Sequence, residues 1–150
     1  MTIKSLNTVR DYIKFNELQK PKDYFVICPH TNIKVSNTDF RKNLDKINYY
    51  LIVQKKHKKG SIICTLIENS LSSIHLMLGI MYSGMIQVPL NIVAGDEQLS
   101  YVVNHSDAKI IFVSSKYLNL AQRIKSKVSR DIEIFEISKD TFVKDRKSVV

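Results

Sequence analysis

Ile62-Ile-Cys-Thr-Leu-Ile67, entered through Lys59-Gly60-Ser61 and left through Glu68-Asn69-Ser70, is the stretch that decides the fold. An apolar run with no polar alternation suits a strand buried on both faces, as in the middle of a parallel sheet. Leu71 to Ser83 then follows helical spacing. Ile74, Met77, Leu78 and Met81 are joined by Leu76 and Ile80, so this helix is expected to be apolar on most sides and deeply buried. Gly84 closes it, and Met85 to Val88 reads as a second strand. Asp96 and Glu97 open another helix through Leu99, Val102 and Val103, with His105 near its end, where the dipole favours a cation. Ile110 to Val113 is a third strand. Ser115 is placed to cap a helix through Tyr117, Ala121, Ile124 and Val128, and Ile132 to Ile137 is a fourth strand.

Upstream of the deciding stretch, Leu6, Val9 and Ile13 mark a short helix that Pro21 stops. Tyr24-Phe-Val-Ile-Cys28, the turn Pro29-His-Thr-Asn32, and Ile33 with Val35 read as a hairpin. Ser36-Asn-Thr-Asp39 has the form of a capping box, and Phe40, Leu44, Ile47 and Leu51 mark one helical face. Lys55 to Lys59 then suit the negative helix end, with Gly60 as the left-handed cap. Strands alternating with helices predict an α/β fold. The expected form is a partial doubly wound parallel sheet with flanking helices, preceded by an N-terminal helix and a β-hairpin.

At 150 residues the chain is the size of one ordinary domain, long enough to bury a core. Its formal net charge of +9 admits nucleic acid or anionic lipid as partners. The cations are dispersed, however, and aromatics do not interleave with them as on a base-stacking platform, so specific nucleic-acid recognition is not expected. The most apolar stretch, Leu71 to Val93, is broken by Ser72, Ser73, His75, Gln87, Pro89 and Asn91. It therefore predicts a buried helix and strand rather than a transmembrane segment. Cys28 and Cys64 lie in apolar runs and make no disulfide framework. With no apolar signal core at the N-terminus, a reducing cytoplasm is the expected compartment.

Chemistry-bearing patterns are sparse. Gly79 and Gly84 have the spacing that opens a phosphate loop, but Met85 and Ile86 follow where Lys and Ser/Thr are required. His30, His57, His75 and His105 fall at no metal-ligand spacing with each other or with either cysteine. No serine stands in a nucleophile-elbow setting. Glu68 and Asn69, just past the first central strand, are the best generic candidates, because doubly wound folds place ligands there. A surface turn is the simpler reading of the same pattern. A phospho-acceptor receiver domain is excluded, since Glu68-Asn69 and Ser114-Ser115 follow the strands where that reading needs an aspartate.

From Lys59 onward the order of short motifs resembles the opening of the adenylate-forming (AMP-binding) superfamily, most like acyl-CoA synthetases. The carrying residues are Lys59-Gly60-Ser61-Ile62-Ile63-Cys64, Glu68-Asn69-Ser70, Tyr82-Ser83-Gly84 and Val88-Pro89-Leu90-Asn91. With them goes the block Glu97-Gln-Leu99-Ser-Tyr101-Val-Val-Asn-His105-Ser106-Asp-Ala108-Lys109. Val35 to Phe40 is loosely similar to the family's helix entry, and the resemblance covers roughly residues 22 to 137. It implies a ligase of fatty acid metabolism that activates a carboxylate with ATP and Mg²⁺ to an acyl-adenylate and passes it to CoA. Residues 1–137 are then expected to be an incomplete N-terminal subdomain, and 138–150 a charged tail or broken linker. The family's Ser/Thr/Gly-rich loop, adenine block, ribose aspartate and late lysine have no counterpart here, and the chain's four glycines end at Gly95. No catalytic, cofactor-binding or metal-binding residue is therefore assigned, and the segment alone is expected to bind neither ATP, Mg²⁺ nor CoA. Two classes remain open. One is a truncated, inactive synthetase fragment completed by a downstream polypeptide or by self-association. The other is a stand-alone binding or interaction domain.

Overall fold

The computed structural model describes residues 6–138. The tail expected from 138 onward lies, past Ser138, outside the described residues. Helix α1 (Val9–Gln19) begins at a capping box in which the Thr8 hydroxyl accepts from Asp11 N–H and the Asp11 carboxylate accepts from Thr8 N–H. Strands β1 (Tyr24–Cys28) and β2 (Ile33–Ser36) form the antiparallel hairpin, with Asn32 in the left-handed region of its turn. Ser36 then caps α2 (Asn37–Asn48), and its Oγ also donates to Asp39 at 2.8 Å.

Parallel strands β3 (Ile62–Leu66), β4 (Ile86–Pro89), β5 (Ile110–Ser114) and β6 (Glu133–Ile137) stand in the order β4-β3-β5-β6. Helix α3 (Leu71–Tyr82) joins β3 to β4, α4 (Asp96–Ser106) joins β4 to β5, and α5 (Leu118–Lys127) joins β5 to β6. Alternate side chains of the inner strands feed two cores, as strand geometry requires. Ile63, Ile110 and Phe112 face α1, α2, α3 and the hairpin. Cys64, Leu66, Ile111 and Val113 face α4 and α5. Helices therefore cover both faces of β3 and β5, which is the doubly wound arrangement expected.

Three details depart from the sequence-based expectations. First, α2 does not run straight into the lysines. It passes into a π-helical turn, Tyr49–Gln54, and the chain leaves that turn with Lys56 in the left-handed region. Gly60 is also left-handed (φ +80), but it lies in the turn that enters β3, where its N–H bonds Gly84 C=O at 2.8 Å. It is not the helix cap. Second, Ser115 does not cap α5. A 3-10 turn, Ser115–Tyr117, intervenes, and the helix starts at Leu118 without a side-chain cap. Third, α3 is buried along one side only, leaving Met77 at 38% and Met81 at 42% exposure. No inner strand among the described residues presents a bare apolar face; exposed apolar strand residues sit at edges, as Ile86 does on β4. Among the described residues, no helix is long and apolar enough to cross a membrane.

Candidate functional site

From β3 the chain goes to one side through α3 and, after β4, returns to the other side as β5. The carboxyl ends of β3 and β5 therefore flank the point where the winding reverses, the usual ligand crevice of such sheets. Glu68, Asn69 and Ser70 emerge there from β3, and Ser114 from β5. Ser114 Oγ donates to Glu68 Oε2 at 2.5 Å, joining two strand ends 46 positions apart. Ser70 and Ser73 build the start of α3 reciprocally. Ser73 N–H donates to Ser70 Oγ at 3.1 Å, and Ser70 N–H to Ser73 Oγ at 2.9 Å. Ser72 Oγ donates to the Ser138 carbonyl at 2.9 Å, tying α3 to the end of β6.

Beside this crevice lies a cleft of about 520 Å³, between the hairpin, the ends of β3 and β4, and the first turns of α3. Ile27, Ile67, Ile74 and Met77 supply its apolar walls, and Asn69, Ser73 and Gln87 its polar groups. The Gln87 amide is oriented by donating to Thr65 Oγ1 at 2.9 Å. The structure thus separates the two candidates read from the sequence. Asn69 lines the cleft, whereas Glu68 is engaged by Ser114 on β5. The hairpin's contribution, including Cys28, carried no sequence signal, because β1 reaches the cleft only by packing Phe25 on Phe40 (ring centroids 4.0 Å apart).

Among the described residues, no Asp, Glu, Lys, Arg or His lines the cleft. It can hold an apolar group with one amide-bearing end, but it offers no general base and no cation for a phosphate. The left-handed glycines, Gly60 and Gly84, lie at the amino ends of β3 and β4, the opposite end of the sheet from the cleft. Cys64 is buried 3.7 Å from Ser106 Oγ, and burial pushes its thiol upward, away from the thiolate a nucleophile needs. Among the described residues no three His, Cys, Asp or Glu side chains converge as a metal site requires. His75 is buried between α2 and α3, while His30 lies in the hairpin turn and His105 stacks on Tyr101.

The profile of the AMP-binding enzyme family matches residues 15–149. Over 58 residues, which are 39% of this chain and 11% of the relative, the sequence is 33% identical to 4-hydroxybutyrate–CoA ligase 2 of Metallosphaera sedula. An anthranilate CoA ligase crystallised with anthranoyl-AMP superposes on 91% of this chain, using 27% of its own, with a TM-score of 0.79 and 16% identity. The luciferase-like enzyme of the nonluminescent mealworm Zophobas morio superposes on 94%, using 34% of its own, with a TM-score of 0.81 and 15% identity. At such identities the superpositions show the fold, and this chain spans between 11% and 34% of the length of these relatives. The family match takes in every strand and helix from α2 to β6, including both candidate residues at the winding reversal: the chain belongs to the AMP-binding enzyme family.

Proposed function

We propose that these residues are the N-terminal scaffold of an AMP-forming acyl-CoA ligase, which activates a carboxylate to an acyl-adenylate and transfers it to CoA. The observation that carries this reading is the family match over residues 15–149. In it, ATP, Mg²⁺ and CoA are handled by residues other than these, because the cleft has no charged lining and neither left-handed glycine stands beside it. The segment's part is structural: it supplies four parallel strands and the helices that cover them. A polypeptide carrying the phosphate loop completes the enzyme. A reducing cytoplasm suits the two cysteines, since Cys64 sits beside Ser106 rather than beside Cys28. The second reading, a binding domain without catalysis, is favoured by the uncharged cleft alone.

ATP–pyrophosphate exchange over a panel of fatty and aromatic acids tests this. It is run on the 150-residue chain alone and on the chain expressed with the coding sequence that follows it. Exchange only in the second preparation is expected. Exchange by the chain alone would refute the assignment of ATP handling to other residues. Exchange in neither would remove the ligase reading and leave the binding domain.

A further inference from the structure

The π-helical turn changes what the lysine run is. With the helix ending at Gln54, its last turn holds no cation, and Lys55, Lys56, Lys58 and Lys59 follow as an exposed segment. Among the described residues, only Lys55 of these has an ion-pair partner, Glu133 at 2.5 Å. The outward side of α2 and the π turn leads into this segment. Lys42 and Lys46 are followed about a turn later by Tyr49 and Val53, which are 54% and 51% exposed although the neighbouring Tyr50 and Leu51 are buried. Of the two acidic side chains on this stretch, Asp45 is occupied by Arg41 and Tyr82, and Asp39, at the start of α2, accepts from Ser36. Two exposed apolar side chains therefore lie within a field of six lysines whose nearest carboxylates are already engaged.

We propose that this face is a docking surface for anionic lipid bilayers. Clusters of four to eight basic residues beside an amphipathic helix are drawn to acidic headgroups. Lysine stems reach along an interface while their ammonium groups stay in water, and a tyrosine ring sits at the headgroup level with its hydroxyl wet. Val53 supplies the aliphatic insertion. The alternatives fit less well. Protein interfaces are depleted in lysine at their centres, where this face has most of it. Nucleic acid would want aromatics interleaved with the cations, and Tyr49 is the single exposed ring here. The surface is separate from the cleft and does not depend on the ligase reading.

The experiment is vesicle co-sedimentation at about 150 mM salt, comparing phosphatidylcholine vesicles with vesicles that also contain phosphatidylglycerol. The chain should pellet with the second and not the first. Each surface lysine contributes about fivefold to partitioning, so Lys56→Gln, Lys58→Gln and Lys59→Gln together should lower it about 100-fold. Tyr49→Ser with Val53→Ser should lower it further at raised salt, where the electrostatic part is screened. A control with the same charge change elsewhere (Lys22→Gln, Lys34→Gln and Lys116→Gln) should lose much less. All these positions are exposed, and unchanged melting temperatures verify folding. The proposal is overturned if anionic vesicles do not bind, if neutral vesicles bind equally, or if both triple variants lose equally. Tighter binding to duplex DNA or polyglutamate at the same salt would also overturn it.

Discussion

Protonation of His75 should destabilise this domain under mildly acidic conditions. His75 has no solvent exposure. Its Nδ1 lies 2.7 Å from the Leu71 carbonyl, so that nitrogen carries the hydrogen, and Nε2 faces the Asn43 amide at 3.3 Å. Phe40 packs against the ring at 4.6 Å between centroids. Burial, reinforced by Lys46 on α2 and opposed by the Leu71 bond, pulls its pKa from 6.5 to about 4. The folded value is below the unfolded one, so the unfolded chain binds more protons between them. Stability from this group is complete above about pH 7 and is lost as pH falls from there toward 4. A gap of this size removes about 2 kcal/mol between pH 7 and pH 5. Asp11 and Asp96, both held below the usual carboxylate range by hydrogen bonds, add acid sensitivity of their own. The measurement is therefore a difference: urea unfolding of wild type and His75→Gln at pH 7, 6 and 5. The variant starts less stable, but its curve should be flatter by about 2 kcal/mol. Parallel curves for the two proteins would refute the reasoning.

Adding a Cβ at Gly79 places it 2.6 Å from Ile47 Cδ1 and 3.0 Å from its Cγ2, at the contact of α3 with α2. Gly79→Ala should lose about 1–3 kcal/mol by chemical denaturation, and Ile47→Val, which removes Cδ1, should recover part of it. Arg130 donates to the carbonyls of Val103, Asn104 and Ala108, closing the end of α4 from 22 or more positions away. Arg130→Ala should therefore cost about 1–3 kcal/mol, and Arg130→Lys should not restore it, because an ammonium cannot span three carbonyls. Strand β4 is short, lies at the edge and begins with Ile86 52% exposed, so the 150-residue chain should self-associate at high concentration in sedimentation velocity. A compact monomer that binds no hydrophobic dye would contradict this.

The order of elements was legible because packing dictates it locally. A run such as Ile62 to Ile67 has few alternatives to a central strand, and Ser36 and Ser70 announce helix starts through bonds made within three residues. What escaped depends on contacts distant in sequence. Nothing in Tyr49-Tyr50-Leu51-Ile52-Val53-Gln54 distinguishes a π turn from an α-helix. The wider turn keeps Tyr50 and Leu51 on the core while Tyr50 closes on Phe135 at 4.9 Å, a contact set by β6. Ser115 has the look of a cap because it follows a strand, yet the intervening 3-10 turn moves the cap position to Tyr117 and the helix start to Leu118.

The same division explains the site. Position relative to the sheet was readable: Glu68 and Asn69 follow β3, and β3 is central. Direction was not. Successive residues leaving a strand project to opposite sides, so adjacent candidates are the pair least able to share one task. The sequence cannot say which of them meets the cleft until the positions of β5 and the hairpin are known. Ser114, at the end of the neighbouring strand, takes Glu68, and the hairpin then encloses a space that Asn69 enters without any charged companion. A carboxylate held by a neighbouring strand's hydroxyl braces the sheet at its winding reversal. On the reading proposed above, a reversal point that is neutral on the cleft side and braced on the other suits a scaffold, and the cations that handle phosphate come from residues other than these.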